Sequence, residues 1–95
     1  MPAPEGLVTV YSRPGCPYCA LLRRGLRRAG IVTSEVNIWD DPDGAATVRR
    51  VASGNETVPT VVVGGAAALV NPTVRAVRQA LAEVAPALLP QPSPG

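Results

Sequence analysis

The stretch LVTVYSRPGCPYC, residues 7–19, passes from strand-forming to helix-forming sequence and contains both cysteines of the chain. Leu7 to Tyr11 is rich in β-forming residues, which favours a strand, and the next four residues have the composition of a turn. From Pro17 to Ala29 the apolar residues recur at three- and four-residue spacing, which predicts an amphipathic helix. That apolar stripe consists of Tyr18, Leu21, Leu22, Leu26 and Ala29. The sequence therefore predicts a strand, a turn and a helix that begins at the cysteine pair.

The rest of the chain supplies three more strands and two more helices. Alternating residues over 32–38 predict a strand with one face in the core, and the segment Asp40-Asp41-Pro42-Asp43 is suited to start a helix that runs to about Ala52. A nearly continuous apolar run over 58–63 predicts a strand covered on both faces. Gly64-Gly65 turns the chain. The remaining predicted elements are a returning strand from Ala66 to Val70 and a last helix that Asn71 caps, that begins at Pro72 and that Pro86 ends.

This order of elements predicts an α/β fold. Strand–helix–strand units imply parallel pairing with a right-handed crossover, and the closing hairpin adds an antiparallel edge. We therefore expect a four-stranded mixed sheet in the order β-α-β-α-β-β-α, with three helices on its faces. Ninety-five residues are enough for one compact domain, which we place at residues 1–85. Residues 86–95 carry four prolines and no charge, so we expect them to form a disordered tail.

Charge and hydropathy argue against several classes of function. The net charge of +2 is too small to indicate a nucleic-acid partner. No stretch approaches the ~20 apolar residues of a membrane span, and the N-terminus lacks the basic start and apolar run of a signal peptide. We therefore expect a cytoplasmic protein that binds neither nucleic acid nor membrane. We also expect Trp39 to be a partly buried packing residue, and we expect one helix to present a solvated face formed by Arg23, Arg24, Arg27 and Arg28.

The two cysteines have the spacing of a redox pair. Residues three apart on a helix have Cβ atoms ~5–6 Å apart, a distance that a disulfide can close with small adjustment. Cys16 falls at a helix N-terminus, where free N–H groups stabilise a thiolate, and Arg13 adds positive charge nearby. Cys19 lies one turn further and should stay a buried thiol. Half a zinc site is the alternative, but the chain has no third Cys and no His, so we predict no metal site.

Cys16-Pro17-Tyr18-Cys19 after a first strand, with Thr57-Val58-Pro59 opening a later one, resembles the glutaredoxins of the thioredoxin superfamily. The resemblance covers about residues 6–85 and implies a thioredoxin-like fold. It implies that Cys16 attacks and Cys19 resolves, that the Val58–Pro59 bond is cis and faces Cys16, and that the Val58 backbone pairs with the substrate. The residues assigned to substrate binding are Arg13, Pro17, Tyr18, Thr57, Val58, Pro59, Asn71 and Pro72.

One departure from the glutaredoxin pattern concerns the small-thiol substrate. Glutathione-using members follow the hairpin with Gly-Gly and an Asp, whereas this chain has Leu69-Val70-Asn71-Pro72-Thr73. The segment 54–60 followed by Asn71-Pro72 is similar to mycoredoxins, which act on mycothiol. The resemblance therefore implies mycothiol, or else glutathione, as co-substrate with no bound cofactor. It implies oxidised client proteins and a small-thiol reductant system as partners of a monomer.

Two other functions stay open at this point. The first is an electron donor to ribonucleotide reductase, as in glutaredoxin-like redoxins, although the Trp near the last helix that marks those proteins is missing here. The second is a non-catalytic carrier that shares an iron–sulfur cluster across a dimer. Such carriers usually have a single Cys and a more open motif, whereas Pro17 stiffens this helix start.

Overall fold

The computed structural model describes residues 8–64 and 67–84. In these ranges three helices and four strands follow one another in the predicted order. The strands are β1 (Val8–Ser12), β2 (Ser34–Asn37), β3 (Thr60–Val63) and β4 (Ala67–Val70). The helices are α1 (Pro17–Arg28), α2 (Pro42–Val51) and α3 (Val74–Val84). The predicted positions of Leu7, Gly65, Ala66 and Pro86 and the predicted tail over 86–95 lie outside the described residues.

The four strands form one mixed sheet in the order β2-β1-β3-β4. β1 and β2 are parallel, as expected for a strand–helix–strand unit, and β3 and β4 form the expected antiparallel hairpin. The second strand–helix–strand unit does not give a parallel pair, because β3 runs antiparallel to β1. Thr60, the first residue of β3, lies opposite Tyr11 at the end of β1. The loop after β1 and the loop before β3 therefore meet at the same edge of the sheet.

Helix α1 ends as the glycine after it suggests. Gly30 has a positive φ of 76°, which glycine adopts without steric cost. The amide of Gly30 donates to the carbonyl of Arg27, and the amide of Ile31 donates to that of Leu26. This pair of bonds is a Schellman motif, in which the apolar residues on both sides of the glycine pack together. Ile31 and Leu26 both lie in the hydrophobic core, so the motif anchors the end of α1.

Three residues of the predicted apolar patterns are exposed, among them Tyr18, which was also assigned to substrate binding. Tyr18 and Leu21 are 64% and 65% exposed, because the buried side of α1 consists of Cys19, Leu22 and Leu26. Val32 is 59% exposed: Ile31 occupies the core position there, and β2 begins only at Ser34. The predicted strand over 32–38 is thus shorter than its pattern suggested.

Trp39 is 65% exposed, so the expectation that it packs in a partly buried position was wrong. Its neighbour Ile38 is 4% exposed and fills the core, and the next side chain in the turn points away from it. The backbone amide of Trp39 donates to the side-chain oxygen of Asn37 across 2.9 Å, which fixes the turn in this direction.

The last helix begins later than expected, and Asn71 is not its cap. α3 starts at Val74, and the hydroxyl of Thr73 accepts from the amide of Ala76 across 3.1 Å, which is the bond of an N-cap. Asn71 has a positive φ of 48°, and its amide donates to the carbonyl of Pro59 across 2.7 Å. Asn71 therefore ties the end of β4 to the loop before β3.

The start of α2 agrees with the sequence. Asp41 is the N-cap, and its carboxylate accepts from the amide of Gly44 across 3.0 Å. Pro42 and Asp43 follow in the first turn, where a fixed φ and a negative charge are favourable.

The buried residues form two clusters. The larger one lies where α1 and α3 cover the sheet and contains Val10, Leu26, Val61, Val77 and Leu81. The smaller one contains Cys16, Cys19, Ile38, Ala45, Val48 and Val58. Because both cysteines belong to the smaller cluster, their surroundings are set by α2 and by the loop before β3. No helix among the described residues has the length and hydrophobicity needed to cross a membrane.

Candidate active site

Cys16 is the N-cap of α1. Its backbone is extended, with φ −88° and ψ 110°, and Pro17 follows at the first helical position. The Sγ atom of Cys16 accepts from the backbone amide of Cys19 across 3.4 Å, the bond that a serine or aspartate makes at other helix starts. The sulfur is thus aimed at the free N–H groups of the helix.

These surroundings favour the charged form of Cys16. Burial alone would raise the pKa of the Cys16 thiol, because charge is less stable away from water. Hydrogen bonds from Cys19 and from the backbone of Tyr18, together with the charge of Arg13, outweigh that effect. The net result is a pKa of Cys16 below its ordinary value. The predicted contributions of the helix start and of Arg13 thus act in the direction we expected.

Cys19 has the opposite tendency. Its side chain is fully buried in α1, and this burial, together with the contact with Cys16, raises the pKa of the Cys19 thiol to about 11. Both cysteines are free rather than joined in a disulfide. Within four residues the chain therefore holds one thiol that ionises readily and one that stays protonated at neutral pH.

The loop before β3 faces Cys16. The Val58–Pro59 peptide bond is cis, as the resemblance implied. The carbonyl oxygen of Val58 lies 4.0 Å from the Sγ of Cys16. Thr60 is completely buried, and its hydroxyl donates to the carbonyl of Thr57 across 2.7 Å. With the bond from Asn71 to Pro59, two hydrogen bonds hold this loop beside the sulfur.

A groove of about 510 Å³ runs between the start of α1 and this loop; we name it the Val58 groove. The structure brings most of the predicted site residues to it, whereas Pro59 is buried behind the groove and Pro72 and Cys19 do not line it. Its lining consists of Arg13, Cys16, Pro17, Tyr18, Asn55, Glu56, Thr57, Val58 and Asn71.

Two of these lining residues, Asn55 and Glu56, were missing from the predicted site. Glu56 forms an ion pair with Arg49 across 2.7 Å, so the Arg49 guanidinium compensates much of the negative charge of Glu56. Both lie directly before Thr57, within the segment 54–60 that carries a family resemblance, and this position is the sequence signal that could have indicated them. Among residues 8–64 and 67–84, no three His, Cys, Asp or Glu side chains come together as metal ligands would.

A thioredoxin-like fold with two cysteines at a helix start and a cis-proline beside them defines a class of thiol oxidoreductases. Comparison with known proteins places the chain within that class. The family model described as Glutaredoxin matches residues 8–67. A Mycobacterium tuberculosis protein named as a glutaredoxin is 35% identical over 78 residues, 82% of this chain and 93% of its own length. This chain therefore belongs to the glutaredoxin family.

Two further comparisons agree with this assignment. A glutaredoxin of Neisseria meningitidis is 36% identical over 58 residues, which cover 60% of this chain and 67% of that protein. Among solved structures, the glutaredoxin-like NrdH-redoxin of Escherichia coli has a TM-score of 0.67 at 22% identity, covering 90% of this chain and 97% of its own. The second likeness concerns the fold alone.

Proposed function

We propose that this protein reduces mixed disulfides between client proteins and a small thiol, with Cys16 as the attacking sulfur. The observation that carries the proposal is the contrast between the two cysteines. Cys16 lies at the start of α1 with a lowered pKa, and Cys19 lies one turn further with a pKa raised to about 11. A thiolate is the nucleophile in thiol–disulfide exchange, so only the first cysteine is prepared to attack at neutral pH.

In the first step the Cys16 thiolate attacks the small-thiol sulfur of the mixed disulfide. A new S–S bond forms between Cys16 and the small thiol, and the bond to the client sulfur breaks. The client leaves as a thiolate, takes a proton from water and is thereby reduced. A second small thiol then attacks the Cys16 adduct, which restores the Cys16 thiolate and releases a small-thiol disulfide.

Cys19 offers a second route from the same adduct. Once it loses its proton, Cys19 attacks the Sγ of Cys16, expels the small thiol and leaves a Cys16–Cys19 disulfide. The raised pKa of Cys19 makes this route slow while the small thiol is abundant. The same pair can reduce a client disulfide directly, with the client sulfur in place of the small thiol.

The Val58 groove is the proposed site of the small thiol. Its loop places the Val58 carbonyl 4.0 Å from the reactive sulfur, where the cysteinyl backbone of a substrate can pair with it like an added strand. Asn55, Thr57 and Asn71 add two amides and a hydroxyl to the lining. Pro59 and Pro72 are proposed to act behind the groove, by shaping the loop and the start of α3.

We further propose mycothiol as that small thiol. After the β3–β4 hairpin the chain lacks the Gly-Gly and Asp that hold the charged end of glutathione in related proteins. The Thr73 hydroxyl at the corresponding helix start already accepts a hydrogen bond from the amide of Ala76. Amide and hydroxyl groups suit the sugar and inositol hydroxyls of mycothiol. Both kinds of group are present in the groove.

The test compares mixed disulfides of mycothiol and of glutathione on one fluorescent client protein. We expect a higher kcat/KM with the mycothiol adduct, each assay containing an excess of the matching free thiol. Faster turnover of the glutathione adduct would refute the mycothiol preference and leave the general reaction standing. No turnover of either adduct would refute the proposed function itself.

A donor to ribonucleotide reductase is the second candidate, because the same missing Gly-Gly and Asp fit a redoxin that does not use glutathione. Reduction of the Cys16–Cys19 disulfide by NADPH and thioredoxin reductase, faster than by either small thiol, would favour it. A coloured dimer after anaerobic purification would instead favour an iron–sulfur carrier.

We propose that the working unit is a cytoplasmic monomer whose folded domain spans residues 1–85.

A further inference from the structure

A second groove begins at Cys16 on the side away from the Val58 groove. A cavity of about 650 Å³ reaches from Ser12 and Cys16 to Arg23 and Glu35. A further cavity of about 370 Å³ continues from the same Arg23 and Glu35 to Arg27 and Val32. The two cavities meet at these two residues and lie end to end as one surface groove between α1 and β2. We name it the α1–β2 groove.

The α1–β2 groove is positively charged. Arg13, Arg23 and Arg27 line it, and Glu35 is the acidic residue in the lining. Arg23 and Glu35 form an ion pair across 3.2 Å. Within the described ranges the other ion pair joins Arg49 to Glu56, so the charges of Arg13 and Arg27 are not compensated by a carboxylate. An anionic ligand would therefore find two free guanidinium groups in this groove.

The length of the groove fits an extended peptide. Cys16 and Arg27 are the ends of the lining along α1, and at a rise of 1.5 Å per residue they are about 16 Å apart. An extended chain of about five residues covers that distance. β2 lies at the edge of the sheet, so the groove is open at the side of the molecule. The exposed side chain of Val32 adds an apolar contact at the far end.

We propose that the α1–β2 groove binds an extended acidic segment of the client protein and so selects clients. The inference rests on the proposed function, because the groove starts at the sulfur that the client's disulfide must reach. The small thiol then occupies the Val58 groove while the client chain leaves Cys16 on the other side. Acidic residues about three to five positions from the client cysteine lie between Cys16 and Arg27, whose charge no described carboxylate compensates.

The test uses the Cys19→Ser protein and short peptides whose cysteine is joined to 2-mercaptoethanol. Cys16 attacks the mercaptoethanol sulfur, a Cys16–mercaptoethanol disulfide forms, and the peptide leaves as a thiolate, whose release is measured by chromatography. One peptide has glutamates three to five residues from its cysteine on both sides, and the other has glutamines there. We expect the acidic peptide to react about tenfold faster at low salt, since each exposed ion pair supplies up to about fivefold.

Arg27→Glu and Arg28→Glu are the matched variants. Both residues lie in the last turn of α1 and change the net charge equally, but Arg28 does not line the groove. We expect Arg27→Glu to remove most of the preference for the acidic peptide and Arg28→Glu to retain it. Arg28→Glu should react with the glutamine peptide at the unchanged rate, which shows that a reversed charge at the end of α1 does not affect Cys16 itself.

Equal reaction rates of the acidic and the glutamine peptide with the protein that keeps all its arginines would overturn the inference. Equal loss of the preference in Arg27→Glu and Arg28→Glu would also overturn it, since only the overall charge would then matter. The reaction with the mercaptoethanol adducts needs neither mycothiol nor glutathione. A preference for the acidic peptide would therefore stand even if the mixed-disulfide assay refuted the proposed function.

Discussion

The backbone amide of Cys19 donates to the Sγ of Cys16, so the residue that carries the second thiol helps to ionise the first. The pKa values of the two thiols are shifted in opposite directions, because Cys16 caps the helix whereas Cys19 is buried inside its first turn. One turn of helix is thus enough to separate an attacking sulfur from a resolving one.

The first prediction concerns alkylation. Since the pKa of Cys16 is lowered, its thiolate population persists as the pH falls below the ordinary cysteine value, and alkylation of Cys16 should continue there. Cys19, with a pKa of about 11, should react only as the pH rises toward that value. Iodoacetamide labelling over a pH series, with mass spectrometry of the peptides, measures both residues. Equal pH profiles for Cys16 and Cys19 would contradict the assignment.

The second prediction separates the roles of the two cysteines. Cys16→Ser should abolish reduction of a mixed disulfide, because no other described thiol is ionised beside the Val58 groove. Cys19→Ser should still release the client and the small thiol when free small thiol is supplied. Turnover of a fluorescent mixed disulfide by the two variants is the measurement. Activity in Cys16→Ser with none in Cys19→Ser would reverse the two roles.

The third prediction isolates the charge of Arg13. Arg13→Gln should raise the pKa of Cys16 because the Coulombic stabilisation of the thiolate is lost. The hydrogen bonds from Cys19 and Tyr18, each of which lowers the pKa more than Arg13 does, remain in the variant. The ultraviolet absorbance of the thiolate, followed against pH, measures the change. Arg50→Gln on exposed α2 is the control, and an equal upward shift there would show that Arg13 has no special role.

The fourth prediction concerns the crossing of α1 and α3. A Cβ atom added at Gly25 would lie 2.6 Å from the Cγ2 of Val74, and valine has little freedom to move away. Gly25→Ala should therefore destabilise the fold by about 1–2 kcal/mol, although alanine favours a helix. Urea unfolding of Gly25→Ala, Val74→Ala and the double variant tests this. The double variant should be more stable than the sum of the two single changes predicts, and strict additivity would exclude the clash.

Much of the fold could be predicted because its signals are local. The strand–turn–helix around Cys16 and the Asp41 cap of α2 depend on residues within a few positions of one another, and both agree with the structure. The cis bond before Pro59 followed from a resemblance over most of the chain, which a local pattern could not have supplied.

The errors concern residues whose positions depend on distant parts of the chain. The backbone amide of Asn71 donates to the carbonyl of Pro59, so Asn71 is bound to the loop before β3. Thr73 is therefore the residue that caps α3. β3 runs antiparallel to β1, and its first residue lies opposite Tyr11. No periodicity in the sequence could reveal this direction of pairing. The α1–β2 groove likewise depends on how a helix and a strand lie in space.

The exposed position of Trp39 gives the protein an optical reporter. Trp39 is the only tryptophan of the chain. Its backbone amide donates a hydrogen bond to the side chain of Asn37, and Asn37 lines the α1–β2 groove. We expect a peptide that fills the groove beside Asn37 to alter the surroundings of Trp39, two residues along the chain, and with them its emission. Client docking can therefore be followed by the protein's own fluorescence, without a dye and before any sulfur has reacted.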